Sequence, residues 1–384
     1  MIGGPVASPL KVAICGGSIS GLATALTLSC IGHEVHVFER EANSLFGRGG
    51  GVAVLRRMLR FLEAHGQHCR ATISVPTRRR RWLAPDGTVQ RDEHEMLPFS
   101  SWDMVYRSLS SALPLEAIHY SRHITGFSDD GDGIHIQFED GAAFDADVLI
   151  GADGTSSRLR ESLFDSATPT YAGYVAWRGL VDESVFDFAA VSGLTENMTL
   201  FAQDGGLFMT FLVPSATGSL DIGKRRFNWL WYRNQDTGSE LEGYLTDRSG
   251  HKHHRSVEPG LLSERSVSAL ARLAQAALPA QLAQLVLATP YPFLQTISDV
   301  LSPSFSSGRV ALVGDAACTL RPHTAYGTSK AADDAVTLAE VFSTSDRNVT
   351  NILSDWATAR RAAVEPLVEK GKKLAANFGL GPGK

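Results

Sequence analysis

Only four cysteines, Cys15, Cys30, Cys69 and Cys318, occur in 384 residues, and no two stand at C-x-x-C or metal-ligand spacing. That scarcity argues against a disulfide framework and suits a reducing compartment, the cytoplasm. Long apolar runs are missing, since no segment approaches the roughly 20 residues that span a bilayer. The opening MIGGPVASPL has neither a basic stretch nor an apolar core, so a secretory signal is not expected. Positive charge is not in excess: 36 Lys and Arg face 41 Asp and Glu, a formal −5, which gives no electrostatic case for a nucleic-acid partner. Repeats and low-complexity tracts are absent too. What remains is 43% hydrophobic and 20% charged, the make-up of a globular chain with a large core and two or three domains.

Glycine is plentiful and sits in informative places. Lys11 to Cys15 is a short apolar strand, followed by Gly16-Gly17-Ser18-Ile19-Ser20-Gly21 and an apolar helical run, Leu22 to Leu28. A second strand, Glu34 to Phe38, ends in Glu39-Arg40. This is a βαβ dinucleotide layout: a tight turn, phosphates at a helix N-terminus, and an acid about 20 residues on for ribose hydroxyls. Ser18 stands where the second glycine of G-x-G-x-x-G is expected, a small side chain whose hydroxyl can donate to a phosphate. Further on, Asp147-Val-Leu-Ile-Gly-Ala leads to Asp153-Gly154-Thr-Ser-Ser157-Arg-Leu-Arg160, a strand and a glycine turn. Near the end, Val310 to Val313 leads into Gly314-Asp315, a Pro/Gly loop and an alanine-rich helix. A carboxylate there can accept from a sugar hydroxyl while the helix N-terminus offers donors.

These three segments, in this order, resemble the aromatic hydroxylases related to para-hydroxybenzoate hydroxylase, the group A flavin monooxygenases. The resemblance covers essentially the whole chain. It implies a non-covalent FAD, NAD(P)H as co-substrate, O2, and a small aromatic or heteroaromatic substrate hydroxylated by a flavin C4a-hydroperoxide. Asp153 and the late loop, Asp315, Pro322, Ala325, Gly327 and Thr328, are then cofactor-binding positions. Arg107, in the helix that begins near Trp102, falls where relatives carry an FAD-contacting arginine, and Arg48 precedes the Gly49-Gly50-Gly51 run that can lie against a planar ligand. Where the family has His, Gly and Asn, this chain has Cys318, Ala325 and Ser329. The loop Arg321-Pro-His-Thr-Ala325, with Gly327-Thr-Ser-Lys330, YVAWRG and FNWLWY, is similar to the 2,6-dihydroxypyridine 3-hydroxylase branch, which acts on hydroxylated N-heterocycles.

The expected architecture is α/β (α+β overall): a Rossmann-like FAD domain, an inserted antiparallel-sheet substrate domain, and C-terminal helices. Residues 1–75, 101–165 and 290–340 form the first, 76–100 and 166–289 the second, 341–384 a helical cap. Tyr171–Leu180, Met198–Gln203, Leu207–Val213 and Phe227–Arg233 read as antiparallel strands, and Arg78–Gln90 as a hairpin turning at Pro85-Asp86-Gly87. Leu262–Leu287 reads as helix. The run Arg78–Arg81 is read as the solvated side of that hairpin, His251–His254 as no metal site, and Trp229 and Trp231 as core. His323 has the intrinsic pKa for a base that ionises a substrate hydroxyl, and Tyr326 could position the ring; the alternative is that His323 only fixes its loop. Same-fold chemistries (epoxidation, decarboxylative hydroxylation, heteroatom oxidation), a non-catalytic FAD protein, and a homodimer stay open.

Overall fold

The computed structural model describes residues 9–65, 70–165, 167–187, 191, 193–344 and 348–382. Cys69 and the first eight residues, on which two sequence expectations rest, lie outside them. Cys15, Cys30 and Cys318 are free thiols. No helix among the described residues is long and apolar enough to cross a membrane.

One layer is a six-stranded sheet whose order runs Ser306–Ser307, Val310–Leu312, Val148–Gly151, Lys11–Cys15, Glu34–Phe38, Ile118–His119. All its pairings are parallel except that of the first strand. Parallel strands are covered on both faces, so they read as unbroken apolar runs rather than alternating ones. Val12, Ala13 and Ile14 are accordingly all at 0% exposure. The helix Ile19–Cys30 lies in this core and packs against the helix Gly327–Thr344.

The other large sheet runs Ser256–Val257, Phe293–Leu301, Thr170–Asp182, Arg226–Asn234, Gly206–Val213, Asn197–Gln203, Arg79–Leu83, Val89–His94, with Cys318–Thr319 attached to Phe293–Leu301. Its strands alternate faces with the period of two that strands impose. Phe227, Trp229 and Trp231 join Val175, Trp177, Leu270 and Leu282 in the core under the helices Glu264–Ala277 and Ala280–Leu287. Leu230 and Tyr232 join Tyr174, Ala176 and Met209 on the opposite face. The expected helix over 262–287 is two helices, because Pro279 lacks the N–H that a continuous one needs. The expected domain boundary at 290 falls just ahead of the strand Phe293–Leu301, which pairs with Thr170–Asp182 and so extends the antiparallel sheet. A small sheet, Gly51–Ala53, Pro98–Ser101 and Val75–Pro76, stands beside these layers.

Candidate active site

A cavity of about 1540 Å³ is walled by the parallel sheet's loops, the antiparallel sheet and the end of the last helix, Val349–Asn377. That exceeds the roughly 300–1,000 Å³ of a single small-ligand pocket and leaves room for a dinucleotide and a ring.

At one end the Gly16 turn is built for close approach. Gly16 has φ +109°, and a Cβ on it would meet the Ala152 carbonyl oxygen at 2.5 Å. A Cβ on Gly21 would meet the Gly16 oxygen at 1.9 Å, so Gly21 shapes the turn from behind and does not line the cavity. Gly17 is likewise off the wall; its N–H donates to Glu39 Oε2 at 2.8 Å. Ser18 caps the helix with extended backbone, yet its hydroxyl makes no capping bond and it lines the cavity with Ile19. Glu39 is buried; Oε1 also accepts from Glu41 N–H at 2.9 Å, leaving lone pairs on both oxygens for a ribose. Arg40 is exposed, 3.8 Å from Glu41, and Arg48 bonds Glu41 at 2.8 Å and lies 3.5 Å from Glu258.

Asp315 is exposed on the cavity wall but ringed by protein, and that desolvation lifts its carboxyl above the ordinary range, with Lys330 opposing. The preceding residue is gripped on both sides. Gly314 N–H donates to Asp334 Oδ2 at 2.8 Å and Lys330 Nζ donates to Gly314 O at 2.7 Å. Lys330 also bonds Asp334 at 2.7 Å, and Arg360 closes the cluster on Asp334 Oδ1. Arg160, fully buried, donates to the carbonyls of Thr155, Ala167 and Ala316, tying the Asp153 loop to the Asp315 loop. Burial raises Asp153 as well, and its Oδ1 has no partner among the described residues. The sequence reading gave none of Lys330, Arg360 and Arg160 these tasks; each stands among other polar or charged residues, so nothing in its local sequence marks it out.

Gly51 N–H donates to Asn228 Oδ1 at 2.6 Å and Thr328 Oγ1 donates to Ala53 O at 3.1 Å, so the antiparallel sheet and the start of the Gly327 helix meet at this strand. A Cβ on Gly327 would meet nothing within 4 Å, leaving the start of its helix open to the cavity. Pro322 begins a one-turn 3-10 segment that ends at Ala325, which is left-handed at φ +58°. Within it, His323 Nε2 lies 2.9 Å from the Gly371 carbonyl. A carbonyl only accepts, so Nε2 carries the proton and Nδ1 the lone pair. Burial pulls this imidazole below its usual value, and Nδ1 is closed off from solvent with no partner among the described residues. The ring packs between Tyr174 and Tyr232. Tyr326 also lines the cavity but neighbours Arg57. Arg107 departs from expectation: it pairs with buried Asp103 at 2.9 Å, lies over the Phe46 ring, and does not line the cavity. Asp103 needs that charge, because it is buried holding Gly47 N–H. The arginine run splits by alternation: Arg79 and Arg81 pair with Asp92, while Arg80 pairs with Glu95 on the cavity wall.

A glycine turn with an unbonded serine hydroxyl at a helix N-terminus, the buried acid Glu39 and the Asp315 loop on one cavity fit FAD, and with the antiparallel sheet as the second wall they fit the class of flavin-dependent hydroxylases. The chain belongs to the FAD-dependent group A aromatic monooxygenases. Residues 171–299 match the family model described as FAD binding domain-like. It is 32% identical to the 2,6-dihydroxypyridine 3-monooxygenase of Paenarthrobacter nicotinovorans, over 96% of this chain and 91% of that protein. The 6-hydroxynicotinate 3-monooxygenase of Bordetella bronchiseptica is 24% identical over 95% and 89%. The solved 2,6-dihydroxypyridine-3-hydroxylase from Arthrobacter nicotinovorans superposes with a TM-score of 0.91 at 31% identity, covering 98% of this chain and 94% of that one. Klebsiella pneumoniae HpxO, solved with FAD and uric acid, shares the fold at 24% identity and a TM-score of 0.77, over 96% and 89%.

Proposed function

We propose that the protein uses NAD(P)H and O2 to hydroxylate an electron-rich hydroxylated N-heteroaromatic ring of the dihydroxypyridine kind, in the reducing compartment its free thiols suit. The observation that carries this reading is His323: a neutral imidazole on the cavity wall, its tautomer held by Gly371, with Nδ1 unpartnered just beneath the cavity surface. The likeness to the dihydroxypyridine enzyme supports the ring class.

FAD would be held by the Gly16–Ser20 turn, Glu39, Asp315 and the start of the Gly327 helix; when bound, it supplies hydride acceptance and dioxygen activation. The protein's own part is orientation, exclusion of water and one proton transfer. The face formed by Leu200, Leu207, Met209 and Leu230 keeps the ring end of the cavity dry. A small tilt of the His323 ring, with Nε2 still on Gly371, exposes Nδ1 to a bound ring; Nδ1 then takes the proton of a ring hydroxyl, and the oxygen's retained electron pair makes the adjacent ring carbon more nucleophilic. Tyr326, at the edge of the same loop and on the cavity wall, would help to orient the ring.

The test is NAD(P)H oxidation by the FAD-loaded protein with hydroxypyridines and hydroxybenzoates, followed by product mass under labelled dioxygen. A stimulated rate and one labelled oxygen per product are expected. Label from water, or no stimulation by any such ring, would overturn the reading.

A further inference from the structure

Arg178 lies in the strand Thr170–Asp182, paired with Leu230 and, on the other side, with Phe293. It lines the cavity. Its Nη1 donates to Gln295 Oε1 at 2.9 Å and its Nη2 to the Gly51 carbonyl at 3.2 Å, with the Phe293 ring 5.5 Å from the guanidinium carbon. A guanidinium carries five N–H donors. Two are engaged, and Nε is closed off from solvent with no partner.

What Arg178 lacks is a counter-charge. Arg225 has Glu183, Arg321 has Asp299, and Lys330 with Arg360 share Asp334. Arg160 spends its donors on three carbonyls. Among the described residues Arg178 has no carboxylate in ion-pair range, and the one titratable group that acts on it is the Tyr232 phenol. A half-buried cation with no partner charge is costly in proportion to its lost hydration, so such a group on a ligand cavity marks the place of an anion brought by the ligand. Tyr232 also touches the other participant, since the His323 ring centroid is 5.7 Å from its own. The phenol thus stands next to both the cation and the base.

We propose that Arg178 is the docking point for an anionic oxygen of the ring substrate. This deepens the ring-hydroxylation reading and rests on it. The O–H proton passes to His323 Nδ1, the electron pair stays on oxygen, and the guanidinium donates to that oxygen. Such a site selects rings with an ionisable hydroxyl over the same rings methylated at oxygen.

The experiment uses the FAD-loaded protein, Arg178→Met and Arg178→Lys. Azide, a small monoanion independent of the substrate's identity, is titrated against the flavin spectrum. Saturable binding is expected in the wild type, weakened on the order of 10–100-fold in R178M and partly restored in R178K. Equal azide binding in R178M overturns the proposal. 2,6-Dihydroxypyridine and 2,6-dimethoxypyridine are then compared: preference for the first in the wild type and equal affinities in R178M support it. An equal loss for both rings would mean mere packing, and a shifted flavin potential with the preference intact would mean that the cation serves the flavin. Either overturns it. If the azide result holds while neither pyridine binds, the anion site stands and the dihydroxypyridine reading falls. Should R178M not retain FAD, R178K carries the test, with charge kept and fork geometry lost.

Discussion

Ala325 holds a left-handed backbone conformation at φ +58° in the loop that carries His323. For a residue with a Cβ this costs about 1–2 kcal/mol. Ala325→Gly removes the strain but loosens the unfolded chain, so a net gain of up to about 1 kcal/mol is expected in denaturant unfolding of the apoprotein. Asp315 gives two readouts in one variant. If its carboxylate accepts from FAD hydroxyls, Asp315→Asn weakens FAD binding by roughly 10–100-fold, from a charge-assisted bond worth about 1.5–3 kcal/mol. A carboxyl whose folded pKa is raised adds stability that is complete below its unfolded value and disappears as pH climbs through the folded value. Apo Asp315→Asn should therefore be more stable than wild type at neutral pH, by thermal melting, with the difference shrinking under acid. For His323 the sign is opposite: its lowered pKa puts the acid limb of kcat/KM below about 6.5. His323→Gln should abolish that limb and cost about 10²–10⁴ in rate; an unchanged pH–rate profile would remove the base role. At this scale Gly16, Glu39 and Asp315 were legible because cofactor turns demand those residue types. Arg178 and Asn228 were not. Each sits in a run of core aromatics, and only the alternation of faces reveals that they point away from Trp177 and Trp229.

The helix Gly327–Thr344 works as a clamp as well as a wall. Lys330 and Asp334, one turn apart, hold both polar groups of Gly314 in position under Asp315. Lys330→Met leaves the Gly314 carbonyl with the Cys318 N–H alone and Asp334 with Arg360 as its one remaining cation among the described residues; a loss of about 3 kcal/mol is expected, read from the urea midpoint, with weaker FAD retention. Elements with strong patterning were readable: the apolar parallel strands, the Pro85-Asp86-Gly87 hairpin and the aromatic strands. The three-stranded sheet around Pro98–Ser101 was not, since four residues, PFSS, carry no periodicity. Nor was the pairing of Phe293–Leu301, because allegiance to one sheet or the other is a tertiary choice.

Taken whole, the molecule puts its cofactor cavity between two sheets that the chain visits alternately. Ligand that binds only the folded state stabilises both at once, by about 2.7 kcal/mol at a hundredfold excess over Kd. One cooperative melting transition, moving upward as a unit with FAD concentration, is expected by calorimetry. Two transitions, only one of them FAD-dependent, would show that the halves unfold separately. The parallel sheet draws its strands from separated stretches of the chain, residues 11–38, 118–151 and 306–312. The link between the halves, Gly51 to Asn228, was not legible in the sequence, because it joins positions 177 apart through a side chain.

The strand order of the parallel sheet also sets a timetable for synthesis. Lys11–Cys15 is flanked by Val148–Gly151, which is itself flanked by Val310–Leu312. At roughly 5–20 residues per second, the ribosome needs on the order of 10–30 s to pass from the second of these strands to the third. During that interval the nascent chain presents an apolar strand edge with no neighbour, and the Asp315 loop does not yet exist. Flavin capture is therefore a late event in the birth of the protein. The emerging amino-terminal half has to be kept from other chains until its carboxyl-terminal partner arrives.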